Sequence, residues 1–270
     1  MTSMNFSSGS MTSASRRAFA LFAVIFLLVA QGCEASDFSR NFYRSLLGRL
    51  GRHRTDYPEL SDDEFANFRM VRAAGIGEGK LYRSSSPVST WGERNVIADN
   101  FARKAGVRTF LNLADTDPRE HKGYAGSYYS TQKVIALGLG MKYQSKAFRK
   151  SLAEGIKQMA GAEPPFLIHC SLGKDRAGFV CALVECLCGA SIQEIVSDYL
   201  VSFTNYFGIQ KGSKEYEFVA ENEILRFLAE AFGVKSIELE RINLADAGER
   251  YFREIGVRVE DIEILREKLK

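Results

Sequence analysis

Histidine is almost missing from this 270-residue chain: His53, His121 and His169 are the whole supply, and no Cys-x-x-Cys pair accompanies them. A structural zinc site therefore has no ligand set, and the sequence assigns no metal. Charge of one sign is missing too. Lys and Arg number 36 against 33 Asp and Glu, a formal net charge of +3. That excludes the basic surface of a nucleic-acid binder and confines any electrostatic function to a local site. With 46% hydrophobic and 26% charged residues, a disordered or collagen-like chain is excluded as well. Residues 67–270 hold no internal repeat and no low-complexity linker, so one catalytic domain is the simplest expectation there.

Acidic residues and lysine are absent from residues 1–33, which end in the apolar run Ala18 to Ala30 behind Arg16-Arg17. Thirteen apolar residues fall short of the about 20 that span a bilayer but match a signal-peptide core. Residues 1–33 are thus expected to be an export signal; a buried helix or an uncleaved anchor is the alternative. Val29-Ala30-Gln31-Gly32-Cys33 resembles a bacterial lipobox, with Ala30 where Leu is usual, which makes Cys33 a candidate lipidation and membrane-attachment site. Cleavage near Cys33-Glu34-Ala35 would instead release a soluble secreted form. Ser15 to Phe19 also resembles a twin-arginine signal. The expected location is periplasmic, secreted or membrane-anchored. Without this segment 34 basic residues face 33 acidic ones, a net charge of +1.

Residues 34–66 are expected to be a tether with a short helix. Beyond it the pattern alternates. Leu81 to Arg83, Val107 to Leu113, Met141 to Gln144 and Phe166 to His169 suit strands, while Arg94 to Lys104, Leu152 to Ala160 and Gly178 to Cys188 suit helices. The second half is helical: Ser191 and Glu194 form a capping box, Glu215 to Phe232 stops at Gly233, and Val259 to Lys270 aligns Ile262, Leu265 and Leu269. The fold class expected is α/β, a central mostly parallel sheet flanked by helices with a helical C-terminal half. Cys170, Cys181, Cys186 and Cys188 crowd into nineteen residues, three of them in an apolar helix. They suit a core better than a disulfide framework.

The informative segment is His169-Cys170-Ser171-Leu172-Gly173-Lys174-Asp175-Arg176-Ala177-Gly178. A tight loop between a buried strand and an apolar helix ends at a helix N-terminus, where unpaired N–H groups and the dipole favour an anion. Cys170 sits in that field beside Lys174 and Arg176, surroundings that lower a thiol from about 8.5 to as little as ~3.5–7.5. Arg176 offers a planar fork for two phosphoryl oxygens, and Gly173 lets the backbone approach the anion.

The spacing Cys170 to Arg176 resembles the Cys-x5-Arg signature of the protein tyrosine phosphatase superfamily. The form HCSLGKDRAG is similar to its bacterial tyrosine and phosphoinositide phosphatase branch, which carries HCxxGKDRxG. Asn67-Phe68-Arg69, Leu81 to Pro87, Asn112 to Asp115 and Tyr128 to Ile135 also resemble bacterial members, so the likeness covers roughly 67–270. It implies a tyrosine phosphatase-like fold and a two-step reaction without metal or cofactor. Cys170 attacks phosphorus, Arg176 and the loop residues Ser171, Leu172, Gly173 and Lys174 hold the oxygens, and water hydrolyses the cysteinyl-phosphate. His169 orients the loop. Asp175 is the first candidate for general acid and Asp115 the second, with Asp117 as a further possibility. Ala177 stands where many members carry Ser or Thr, a hydroxyl that helps cysteine leave, so phosphoenzyme breakdown is expected to be the slower step.

The implied substrates are phosphotyrosine proteins or phosphoinositide lipids. Lys174 suits a multiply phosphorylated headgroup or a neighbouring carboxylate, Arg83 a phosphate contact or a structural ion pair, and Tyr128 and Tyr129 a phosphotyrosine ring or the core. A pseudophosphatase that only reads phosphorylated partners is the alternative, and sulfurtransferases and arsenate reductases give no reason for His-Cys before Gly-Lys-Asp-Arg.

Overall fold

The computed structural model describes residues 37–270. The export signal expected over 1–33 and the lipidation site at Cys33 lie outside the described residues. Helix α1 (Asp37–Arg49) belongs to an N-terminal unit ending at Leu50. Every other described element belongs to a second unit, Gly51–Lys270. Residues 51–66, expected to be tether, fall within it: helix α2 (Asp62–Phe65) is capped by Ser61 and buries Phe65, and Ala66 is buried after it.

Five strands form one sheet: β1 (Arg69–Met70), β2 (Leu81–Ser84), β3 (Thr109–Asn112), β4 (Lys133–Ala136) and β5 (Phe166–His169). Their order is β1-β2-β5-β3-β4, with β1 antiparallel to β2 and all other pairs parallel. The last strand in the chain is therefore the central one. All four residues of β5 are buried, as expected of a parallel strand covered on both faces. Ligands of open α/β sheets bind at the carboxyl ends of such strands, and the segment starting at Cys170 leaves β5 there.

The weak strand expected at Met141 to Gln144 is not formed. Those residues make the turn into α4 (Lys146–Ala160), and their alternation reflects one anchor, Tyr143, stacked on Phe179 at 4.5 Å. The strand is β4 instead. It is an edge strand with Lys133 exposed and only Ile135 buried, and Val134 packs partly buried against the core.

Helix α3 (Asn95–Lys104) and α4 lie in the crossovers, followed by α5 (Asp175–Cys188), α6 (Ile192–Phe207), α7 (Lys214–Ala220), α8 (Arg226–Phe232), α9 (Leu244–Glu254) and α10 (Val259–Leu269). A π turn at Glu221–Leu225 joins α7 to α8. Helix α5 is buried without a break from Ala177 to Leu187, between the sheet, α6 and α9, which is why its sequence is apolar all round. Cys181 and Cys186 lie in that core as free thiols, and burial pushes the half-buried Cys188 up to about 12. Helix α6 starts at the capping box: Ser191 Oγ accepts from Glu194 N and Glu194 Oε2 accepts from Ser191 N.

A buried ion cluster ties α6 to the first two strands. Asp198 accepts from Arg69 Nε at 2.7 Å and from Arg83 Nη1. Burial works against the charge of Asp198, but Arg69 and Arg83 outweigh it and hold its carboxyl at about 2. Glu185 of α5 is buried beside them and is pushed well above the usual carboxylate range, first by burial and then by Asp198.

Two acid limbs of stability follow. Burial lowers His169 from its ordinary 6.5 to about 4, so the folded state binds that proton later than the unfolded one. Its contribution, about 3 kcal/mol, is complete above pH ~6.5 and is lost as pH falls toward 4. Asp198 adds stability above pH ~4 that is lost as pH falls toward 2. Urea unfolding against pH should show the first limb flattened in His169→Asn. In Asp198→Asn the second limb should vanish, with about 3–5 kcal/mol lost at neutral pH.

Candidate active site

The loop after β5 is built backwards, with its carbonyls tied to the scaffold. Leu113 N donates to His169 O at 2.9 Å, and Ser86 N donates to Ser171 O at 3.2 Å. Leu172 O accepts from Asn67 Nδ2 at 3.0 Å and from Tyr206 OH at 2.7 Å. Arg83 Nη2 donates to Gly173 O at 2.8 Å and to Lys174 O at 3.2 Å. The backbone N–H groups of Ser171 to Arg176 find no acceptor among the described residues. Unclaimed N–H groups at the N-terminus of a helix such as α5 suit an anion.

Two glycines make the close approach possible. Gly173 has φ +69°, and a Cβ there would overlap the Ser84 carbonyl, so no side chain fits. At Gly178 a Cβ would come within 2.8 Å of Arg83 Nη2 and within 2.6 Å of the Tyr199 ring. The absence of a side chain on α5 is thus what lets Arg83 reach the loop.

Cys170 opens the loop at 2% exposure, as a free thiol. Arg176 closes it, on the first turn of α5. Its Nη1 donates to Leu139 O at 2.9 Å and its Nη2 to Ser171 Oγ at 3.2 Å, while Nε is buried without a partner. His169 is fully buried, edge-on to Tyr129 at 5.5 Å and to Phe110 at 6.5 Å. Its neutral ring packs under the loop.

Arg83 lies in the structural setting of the two weighed for it. It is fully buried and bonded to Asp198 and the two loop carbonyls, so it braces the loop from behind. Lys174 takes the second of the two roles weighed for it. Its ammonium contacts Asp175 and lies 4.4 Å over the Phe203 ring. Tyr128 and Tyr129 are structural: Tyr128 OH donates to Val107 O, Tyr129 is fully buried, and the N–H of each donates to Asp99. Asp117 caps the turn at Pro118 and is held at about 2 by hydrogen bonds from Arg119.

Asp115 lies on the loop after β3, next to β5. Burial pushes its carboxyl up, but hydrogen bonds with His121 and Asn112 outweigh burial and hold it below the usual range. The supporting residues Asp198, Ser202, Phe203, Asn205 and Tyr206 were not singled out in the sequence. Their signal is the spacing 198, 202, 205 and 206 along α6, one helical face, whose polar members resemble any solvated face until the loop is placed on it.

The sequence model of the tyrosine phosphatase family matches residues 117–270, which includes the whole loop. No curated protein matches the chain. Among solved structures, the core catalytic domain of the PP-IP phosphatase SIW14 from S. cerevisiae, in complex with citrate, is 21% identical. That match covers 61% of this chain and 91% of that one, with a TM-score of 0.38. A variant of TpbA from P. aeruginosa in complex with phosphotyrosine is 17% identical over 67% of this chain and 93% of that one, with a TM-score of 0.39. On the family match, which spans more than half of its length, the chain belongs to the tyrosine phosphatase family.

Proposed function

We propose that the protein is an exported cysteine phosphatase that hydrolyses phosphate monoesters through a cysteinyl-phosphate, with no metal in the reaction. The observation that supports it best is the loop itself: carbonyls tied outward, N–H groups unclaimed, Cys170 at its start and Arg176 at its end. In the first step the Cys170 sulfur forms a bond to phosphorus and the ester P–O bond breaks, the leaving oxygen taking a proton from a carboxyl at the loop. In the second, water forms a new P–O bond, gives up a proton and releases the thiolate. The loop N–H groups and the fork of Arg176, including its unused Nε–H, hold the equatorial oxygens through both steps.

Lys174 was the argument for multiply phosphorylated headgroups, and it is engaged by Asp175 and Phe203. Phosphotyrosine proteins are therefore the first substrates to test and phosphoinositides the second. Membrane attachment would rest on lipid at Cys33, read by mass spectrometry of the exported protein.

With EDTA present, the wild type should release phosphate from a phosphotyrosine peptide and Cys170→Ser should release none. No release from peptide or phosphoinositide by the wild type sinks the enzyme reading. Arg176→Lys keeps the charge and loses the fork, so kcat/KM should fall by about 10²–10³; a loss under tenfold contradicts the role given to Arg176. Because Ala177 supplies no hydroxyl to the departing cysteine, rapid mixing with para-nitrophenyl phosphate should show a burst of nitrophenol before steady turnover. Linear release from the first turnover rejects slow phosphoenzyme breakdown.

A further inference from the structure

One buried carboxyl behind the phosphate loop takes no part in the reaction described above. Glu185 of α5 is 1% exposed, and neither of its oxygens has a hydrogen-bond donor among the described residues. Gly178, Cys181 and Glu185 follow one another at helical spacing, on one stripe of α5. At Gly178 that stripe faces the Arg83 guanidinium, and further along it Cys181 and Glu185 both lie in the field of Arg83 and Asp198. The Glu185 carboxyl meets the Asp198 carboxyl within hydrogen-bond range.

Two carboxylates cannot hydrogen-bond to each other, so one of the pair has to supply a proton. Asp198 is held as the anion: Oδ1 accepts from Arg69 Nε at 2.7 Å and Oδ2 accepts from Arg83 Nη1. Glu185 has no cation bonded to it, and a buried carboxylate without a donor is far more costly than a buried acid. Burial first, and then Asp198, push Glu185 well above the usual carboxylate range, in agreement with that assignment. The other groups facing it are Arg69 from β1, Arg83 from β2 and Cys181 on its own helix, a thiol that burial keeps neutral. Two guanidinium charges then face one carboxylate, and the cluster behind the loop keeps an excess positive charge.

Resting on the phosphatase reading above, we propose that Glu185 stays protonated and donates its O–H to Asp198, as the positioning residue that fixes Asp198 on Arg83 and, through Arg83, the phosphate loop. The chain of contacts is short. Asp198 holds Arg83 Nη1, and Arg83 Nη2 holds Gly173 O at 2.8 Å and Lys174 O at 3.2 Å. An ionised Glu185 would compete for Arg83, whose Nε is buried with no acceptor, and would cancel the excess charge. The neutral acid does neither. It leaves the guanidinium to the loop carbonyls and keeps a positive field behind the place where thiolate and phosphate carry negative charge.

The test compares two variants of the full chain. Glu185→Gln keeps the size and an N–H donor for Asp198, while Glu185→Met keeps only the size. On para-nitrophenyl phosphate, Glu185→Gln should hold kcat/KM within about threefold of wild type, whereas Glu185→Met should lose about 10- to 100-fold. The pH at which Cys170 becomes reactive to iodoacetamide should not move in Glu185→Gln, since one neutral group replaces another. Infrared spectra at neutral pH should show a protonated-carboxyl stretch in wild type that Glu185→Gln lacks. Absence of that difference, a Cys170 titration shifted down in Glu185→Gln, equal losses in the two variants, or wild-type activity in Glu185→Met overturns the proposal. If Glu185→Met does not fold, the infrared band and the Cys170 titration, both read on Glu185→Gln, decide the matter. Wild-type protein that shows the band but forms no cysteinyl-phosphate at Cys170 overturns the phosphatase reading and leaves the proton on Glu185 standing.

Discussion

A loop can present its N–H groups to an anion only if its carbonyls are turned away and satisfied elsewhere, since buried carbonyls without donors are costly. In this chain the buried guanidinium of Arg83 meets much of that need, donating to Gly173 O and Lys174 O from behind the loop. Asn67, Ser86, Leu113 and Tyr206 supply the other donors. A buried cation needs its own counterion, which explains Asp198, and Asp198 is shared with Arg69. The phosphate loop is therefore the front face of a polar cluster that runs from β1 and β2 through to α6.

The same arrangement accounts for where small residues occur. Gly178 leaves the gap through which Arg83 reaches the loop, and Gly173 lets the loop pass against Ser84. A second buried guanidinium extends the support outward. Arg94 donates to Phe65 O and Gly92 O and lies 5.0 Å over the Tyr206 ring, whose hydroxyl holds Leu172 O. Residues well outside the loop thus set its shape, through hydrogen bonds in a low-dielectric interior where each is stronger than in water.

Charge at the rim is arranged differently. Lys174, adjacent in sequence to the anion-binding turn, is folded back over Phe203 and against Asp175. Its ammonium contributes to the field around the loop without pointing at it. Arg176 carries the direct contact with phosphate in the proposed reaction, and Asp115 is held on the neighbouring loop by His121 and Asn112.

The sequence by itself determined what depends on residues close in the chain. Phe166 to His169 is apolar and β-prone, so β5 was legible. The apolar stretch after Gly178 marked α5, and Cys170 to Arg176 with Gly173 marked the loop, because a strand, a glycine turn and a helix N-terminus are local features. Ser191 with Glu194 located the start of α6 for the same reason. Only the tertiary structure decided the partners of Arg83 and Lys174. Both were weighed in the sequence as phosphate contacts or ion pairs, and the choice turns on Asp198, 115 residues from Arg83, and on which way a lysine folds over α6. It also decided that β4 is Lys133–Ala136, an edge strand paired in parallel with β3. Finally, it brought His121 to Asp115, a contact fixed by the path of the loop after β3. Local propensity is written in neighbouring residues; the partner of a buried charge is set by the packing of elements distant in the chain.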